Sequence, residues 1–581
     1  MQNAWWHDAV VYQIYPRSFY DTNGDGIGDL NGIIEKLDYL HWLGVNVLWL
    51  SPVYQSPMDD NGYDISDYRA IAPEFGTMED MTRLIDKAGT LGIKIVMDLV
   101  VNHTSDEHPW FQAALHDKNS PYRDFYIWRD AKPDGSAPDD QGSIFGGSAW
   151  QWEPNTEQYY FHLFSKRQPD LNWENPAVHD AVHKMMNWWI DKGIGGFRLD
   201  VIDLIGKEID KGITGNGPRL HPLLQAMNHA TFGGKDLLTV GETWGATPEI
   251  AKLYSAPERN ELSMVFQFEH ITATWKDGDK WQPVPLDIAA LKQVLFKWQQ
   301  ALADSGWNSL FWNNHDLPRA VSKFGHDGQY RTRSAKMLAT TLHLMKGTPY
   351  IYQGEEIAMT NVAFPSIDDY QDIETRNFYD LRVAEGVDPD TMMEAVYQNS
   401  RDNARTPMQW ENAPQAGFTQ GTPWLPVNPN YTTINVARAT ENSGSVLYHY
   451  RELIKLRKQY PLIVHGQFAP VEESHPNVMA YERFDDTHRI LVVSNFSEQK
   501  QAITLPEHWR DKDLTCLSYN MDPVKQLSTT YKLAPYESFA VMQQKSAQST
   551  NHIKTLRSRL PTAAGARLFS LVDNRSSGSY S

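Results

Sequence analysis

The stretch NPAVHDAVHKMMNWWIDKGIGGFRLDVI, residues 175–202, holds one complete unit of the fold. Asn175 supplies an N-cap oxygen, and Pro176 takes the first helical position, where a missing amide proton costs nothing. Val178, Val182, Met185 and Trp189 then recur at three- and four-residue intervals, which puts them on one buried helical face. GFRLDVI follows as a short apolar run ending in charged residues. Such a run reads as a strand covered on both faces, with its chemistry at the C-terminal end.

The same unit recurs on both sides. VVYQIY (10–15) precedes the helical LNGIIEKLDYLHWLG, in which Ile33, Leu37 and Leu40 share a face. NVLWLSPV (46–53), a helical segment around Leu84, Ala88 and Leu91, and KIVMDLVVN (94–102) continue the rhythm. Downstream come LLTVGE (237–242), MVFQFEH (264–270), SLFWNNHD (309–316) and TPYIYQGEE (348–356). Eight strands alternating with helices predict an α/β fold, a closed (β/α)8 TIM barrel with its site at the C-terminal face.

The barrel is expected over 1–103 and 171–464. The intervening 104–170 is too long for a βα loop and predicts an inserted subdomain after strand three. YHYRELIKLRKQY reads as the last barrel helix. Residues 465–544 alternate in period two and predict a C-terminal antiparallel β-domain; 545–581, basic and rich in small residues, reads as a disordered tail.

Composition narrows the function classes. With 41% hydrophobic residues in 581, the chain can bury a large core, which excludes a disordered or fibrous protein. A formal charge of −19 repels phosphate backbones and anionic bilayers, so neither nucleic acid nor membrane is an expected partner. The single cysteine, Cys516, makes neither an internal disulfide nor a Cys-based zinc site. There is no apolar run of membrane-spanning length and no signal-peptide pattern at the N-terminus, so a cytoplasmic monomer is expected. The many Trp and Tyr rings suit core packing and, in a pocket, the faces of sugars.

Polar clusters close four of the strands: DLVVNH (98–103), GFRLDV (196–201), GET (241–243) and NNHD (313–316). They bring Asp200, Glu242 and Asp316 to one barrel mouth, with His103, Arg198 and His315 beside them. One acid at a strand end is often only a salt-bridged residue; three together with an Arg and two His point to a site. Arg198 and Asp200 are two apart on a strand and share a face, so the guanidinium should keep Asp200 ionised, fit to be a nucleophile. Glu242, close to other acids and in a pocket, is expected to bind its proton more tightly.

These clusters, with QPDLNW (168–173), resemble the α-amylase superfamily of retaining glycoside hydrolases over about residues 4–540. Within it they resemble the oligo-1,6-glucosidase group, most closely its glucan 1,6-α-glucosidase members. The resemblance implies Asp200 as nucleophile, Glu242 as general acid/base and Asp316 as transition-state stabiliser. It also implies a sugar-binding ring of Asp60, Tyr63, His103, Arg198, His315 and Arg405, the last from RDNARTPMQW (401–410), with Asp60 and Arg405 closing the pocket around a terminal glucose.

Val201, directly after the nucleophile, matches α-1,6-specific members; as a plain packing residue it would read as a β-branched strand position. Trp244 offers a platform for the second sugar, and Lys280 in DGDKWQ matches a leaving-sugar contact, with the local spacing displaced by one residue. DTNGDGIGD (21–29) offers Asp21, Asn23, Asp25, the Ile27 carbonyl and Asp29 as oxygen ligands for a structural calcium or magnesium ion, as in the resembled group. Gly32 stands where an EF-hand would place its last Glu, so a helix-loop-helix calcium site is excluded.

The expected substrates are α-1,6-linked isomaltooligosaccharides and short dextrans, cut from the non-reducing end. Three other activities compete. A trehalose-6-phosphate hydrolase needs a phosphate-binding Lys/Arg set. A sucrose isomerase needs RLDRD after strand six, where this chain has QFEHITATWK. A non-catalytic transporter subunit of this fold lacks some of the acids.

Overall fold

The computed structural model describes residues 4–545; the tail expected over 545–581 lies, beyond Lys545, outside them. Eight strands form the barrel: β1 Val11–Ile14, β2 Val47–Leu50, β3 Lys94–Leu99, β4 Gly196–Leu199, β5 Leu238–Glu242, β6 Met264–Phe266, β7 Ser309–Leu310 and β8 Thr348–Tyr352. They run parallel in the order β6-β5-β4-β3-β2-β1-β8-β7. A single parallel bridge, Val265 to Asn308, closes the ring between β6 and β7. Apart from Lys94 every strand residue is buried, as a barrel filled inside and clad by helices outside requires.

The helix before β4 spans Pro176–Asp191, and Asn175 Oδ1 accepts from the Ala177 amide at 3.0 Å. Its buried residues are the four expected plus Met186. The first helix differs from expectation. It breaks into Leu30–Glu35 and Leu37–Leu43 at Lys36, whose ammonium lies 4.3 Å and 4.2 Å from the ring centres of Tyr20 and Trp410. Strand seven is also shorter than SLFWNNHD suggests: it ends at Leu310, and Asn313–Asp316 lie in the following turn.

Between β3 and the Pro176 helix the chain makes a helix, Pro109–His116, and a three-stranded antiparallel sheet. Bridges from His103 to Asp170 and from Tyr126 to Leu171 return this segment to the barrel rim. After the last barrel helix, Val446–Gln459, a five-stranded antiparallel sheet packs its own core around Leu491, Trp509 and Phe539. Tyr481 Oη donates to the Thr341 carbonyl at 2.6 Å and ties this sheet to a barrel helix. Among the described residues no helix is long and apolar enough to cross a membrane.

Candidate active site

The barrel strands converge their C-terminal ends on one guanidinium. Arg198 is fully buried on β4, and its Nη1 donates to Asp200 Oδ1 at 2.6 Å and to Asp98 Oδ1 at 3.1 Å. Its Nη2 donates to Glu242 Oε2, at the end of β5, at 2.6 Å. The sequence reading paired Arg198 with Asp200; in the structure one cation is shared by three carboxyl groups. Burial raises the Asp200 carboxyl, Arg198 opposes the rise, and Glu242 and Asp98 add to it. Burial likewise pushes Asp98 up to about 6 against the pull of Arg198. One guanidinium thus stands among three carboxyl groups in a buried site.

Glu242 is also held by its chain neighbours. Trp244 Nε1 donates to its Oε1 at 2.8 Å, and the Val201 amide donates to its Oε2 at 3.0 Å. Val201 is not a strand residue, as the sequence had implied. Strand β4 stops at Leu199, and Val201 sits in the left-handed region at φ 36°, ψ 41°, a conformation that a β-branched side chain strongly disfavours. That turn aims its amide at Glu242 and packs its side chain among Ile127, Phe145 and Phe164 of the inserted segment.

A second charged group faces the first. Asp316 accepts from Arg405 Nη2 at 2.9 Å and from Arg401 Nη1 at 3.4 Å. Burial pushes Asp316 up, but its positive surroundings outweigh burial and hold it well below the usual carboxylate range. His315 stands beside it: burial drops its pKa to about 3, Gln13 Nε2 bonds its Nδ1 at 2.8 Å, and its Nε2 lies 3.3 Å from Asp316 Oδ2. The lasting charge on Asp316 therefore answers to the two guanidiniums.

Asp60 and Arg405, expected to close the pocket around a terminal glucose, take separate partners. Asp60 accepts from Arg401 Nη2 at 2.9 Å, while Arg405 donates Nε to the His315 carbonyl at 3.0 Å and Nη2 to Asp316. Arg401 also donates Nη2 to Asp372 Oδ1 at 2.6 Å. The arginine at the head of RDNARTPMQW, rather than the one four residues on, reaches Asp60.

Between these groups lies a cavity of about 350 Å³. It is lined by Asp60, Tyr63, His103, Asp200, Val201, Glu242, Trp244, Lys280, His315 and Asp316, ten of the twelve residues singled out in the sequence. Arg198 and Arg405 stand behind the wall. Tyr63 stacks on His315 with ring centres 5.1 Å apart and donates its hydroxyl to Asp98 Oδ2 at 2.9 Å. Burial lowers His103 to about 4, which leaves it a neutral partner of the Tyr63 carbonyl. Trp244 lies flat on Phe268, with ring centres 3.8 Å apart, and Trp275 continues the aromatic wall.

The catalytic domain model of the alpha-amylase family matches residues 13–466, and the alpha-amylase SusG C-terminal domain model matches 478–539. The chain belongs to the alpha-amylase family. It is 58% identical to palatinase of Erwinia rhapontici over 541 residues, covering 92% of this chain and 98% of that one. It is 55% identical to oligo-1,6-glucosidase of Parageobacillus thermoglucosidasius, with 92% and 98% covered. The crystal structure of trehalose-6-phosphate hydrolase of Bacillus licheniformis superposes with a TM-score of 0.90 at 45% identity, covering 94% of this chain and all of that one. The protein is thus a glycoside hydrolase of the alpha-amylase family.

Several residues of this alpha-amylase family site escaped the sequence reading. Asp98 opens the quoted DLVVNH cluster but was overshadowed by His103; Arg401 opens RDNARTPMQW. Gln168, whose Nε2 donates to Asp60 at 3.0 Å, heads QPDLNW. Each lay inside a motif already in view. Asp372 and Glu374 lie beyond β8, where Asp372 caps the helix Ile373–Ala384 and Glu374 sits in its first turn. Glu374 holds Lys280 by an ion pair of 2.6 Å.

The DTNGDGIGD loop turns its oxygens onto its own amides. Asp21 Oδ1 accepts from the Asn23 and Gly24 amides at 3.0 Å, and Asp29 caps the Leu30 helix through Gly32 at 2.7 Å. Among the described residues no three His, Cys, Asp or Glu side chains converge as a metal cluster.

Proposed function

We propose that the protein is an exo-acting retaining α-glucosidase that releases glucose from the non-reducing end of α-1,6-linked isomaltooligosaccharides and short dextrans. The observation that carries this is the guanidinium shared by Asp200 and Glu242. Groups bound to the two ends of one planar fork are held side by side at the barrel mouth, as the carboxyl pair of a retaining mechanism must be.

In that mechanism an Asp200 oxygen attacks the anomeric carbon while Glu242 gives its proton to the departing glycosidic oxygen. Water then attacks the glucosyl ester, Glu242 takes the water's proton, and Asp200 leaves as carboxylate. Asp316, kept ionised by Arg401 and Arg405, faces the positive charge that develops on the sugar ring. The tie between Asp60 and Arg401 blocks the far end of the cavity, which suits a terminal glucose and exo attack.

The wall argues against a phosphorylated leaving sugar. Lys280 is neutralised by Glu374 and Arg401 is committed to Asp60 and Asp372, which leaves neither cation free for a phosphate. The relatives named palatinase and oligo-1,6-glucosidase support a neutral disaccharide or oligosaccharide. Incubation with isomaltotriose, isomaltose, palatinose, maltose, sucrose and trehalose 6-phosphate, followed by NMR, tests the reading. Glucose should appear first as the α-anomer, from the α-1,6 substrates. Preferred cleavage of maltose or trehalose 6-phosphate would refute it.

The linkage preference is assigned to Val201, whose side chain crowds the angle at which an α-1,4-linked second sugar would leave. Val201→Ala should raise activity on maltose relative to isomaltose by about 10- to 200-fold, the span of small changes in pocket shape. An unchanged ratio would leave Val201 a packing residue.

The loop at 21–29 is proposed to hold a structural calcium or magnesium ion. Its donors are all oxygen, and Asp21, Asn23, Asp25, the Ile27 carbonyl and Asp29 would hold the ion there. A cation bound only by the folded chain stabilises it by mass action, so chelation should lower the Tm and leave the turnover of surviving molecules intact. An unchanged melting curve, with no metal found by elemental analysis, would remove the assignment.

A further inference from the structure

The wall beyond Glu242 contains a carboxyl group that the mechanism above does not use. Asp203 sits on the single turn Ile202–Leu204 after the left-handed Val201, is 4% exposed, and lines the same cavity as Glu242 and Trp244. Its Oδ2 accepts only a long bond, 3.3 Å, from the amide of Gly245, which follows Trp244 in the chain. Its Oδ1 has no hydrogen-bond partner among the described residues. Nor does a cation neutralise it. Lys207, the ammonium whose field it enters, is spent on Asn102 Oδ1 at 2.6 Å and Asp170 Oδ2 at 3.1 Å.

A buried carboxyl oxygen without a donor is costly unless a ligand supplies one. Glucose hydroxyls are such donors. The terminal glucose is held at the other side of Asp200, among Asp60, Tyr63, His103 and Asp316. The wall after Glu242 therefore meets the sugar that departs.

We propose that Asp203 is a specificity-determining residue that accepts a hydrogen bond from a hydroxyl group of the leaving sugar. This rests on the α-glucosidase reading. The unpaired oxygen is buried, so the contact needs the side chain to turn toward the cavity that Asp203 lines. Burial, with Glu242 adding to it, pushes the Asp203 carboxyl up to about 7, so near neutrality it also has a proton to donate to a sugar oxygen.

The test compares two substrates that share the terminal glucose and differ in what leaves: isomaltose, and p-nitrophenyl α-glucoside, whose leaving group carries no hydroxyl. Asp203→Ala should lower kcat/KM on isomaltose by about 10- to 100-fold, the range for losing a hydrogen bond to a charged group. The loss on the nitrophenyl glucoside should be at least fivefold smaller. Asp203→Asn, which keeps an acceptor and a donor of the same shape, should recover most of the isomaltose activity. Equal losses on both substrates, or none on isomaltose, would overturn the proposal. Wild type that cuts neither substrate would instead overturn the α-glucosidase reading, so the two failures are told apart.

Discussion

Replacing Asp200 by Asn is expected to lower kcat by about four orders of magnitude, roughly 5.5 kcal/mol of transition-state stabilisation. Glu242→Gln should cost as much on isomaltose. Both changes keep side-chain volume, and both remove negative charge from a buried cluster that has one cation for three carboxyl groups, so the folded state should persist. The two variants separate by rescue with azide. In Asp200→Asn, azide attacks the α-glucoside from the face that the nucleophile vacated and gives β-glucosyl azide. In Glu242→Gln, azide attacks the β-linked glucosyl ester and gives the α-azide. More than a tenth of wild-type activity in either variant, or the same azide anomer from both, would refute the assignment of roles.

Arg401→Met is expected to destabilise the protein by about 3–5 kcal/mol at pH 7, the usual cost of leaving a buried carboxylate without its partner. The carboxylate in question is Asp372, fully buried, which Arg401 meets at 2.6 Å and Arg405 only at 3.8 Å. Burial pushes Asp372 up, yet Arg401 and Arg405 hold it well below the usual carboxylate range. A carboxyl group depressed in the folded state stabilises the fold above its unfolded pKa, about 4, and loses that contribution as pH falls through the folded value. In the variant Asp372 takes up a proton instead. The gap in Tm between wild type and Arg401→Met should therefore be wide at pH 7 and narrow toward pH 4.5. A gap independent of pH would mean that the arginine acts only by filling space. Activity should fall as well, because Asp60 and Asp316 lose the same partner.

The barrel was legible because burial on both faces writes itself as apolar runs, and because a strand's chemistry must sit at its C-terminal end. Asp200, Glu242 and Asp316 were visible for that reason. What the sequence hid was pairing. Arg401 and Arg405 are four apart in one motif, and only the path of the loop after β8 decides which one meets Asp60. Arg198 reads locally as the partner of Asp200 because the two are neighbours on one strand. That Asp98 and Glu242 share it follows from the strand order, which sets β3, β4 and β5 side by side. Val201 was misplaced because strand propensity favours valine, whereas the turn after β4 forces a left-handed backbone on it. Propensity speaks for a residue alone; here the hydrogen bond to Glu242 and the packing against the inserted segment decide.

The left-handed valine also bears on how such enzymes diverge. Trimming Val201 to alanine removes two buried methyl groups, about 1.6 kcal/mol of burial. The left-handed backbone costs about 1–2 kcal/mol for any residue with a Cβ, so alanine keeps that cost and sheds only the added penalty of β-branching. The lost burial is therefore offset only in part, and a lineage that trims this side chain needs a small reserve of stability to do so.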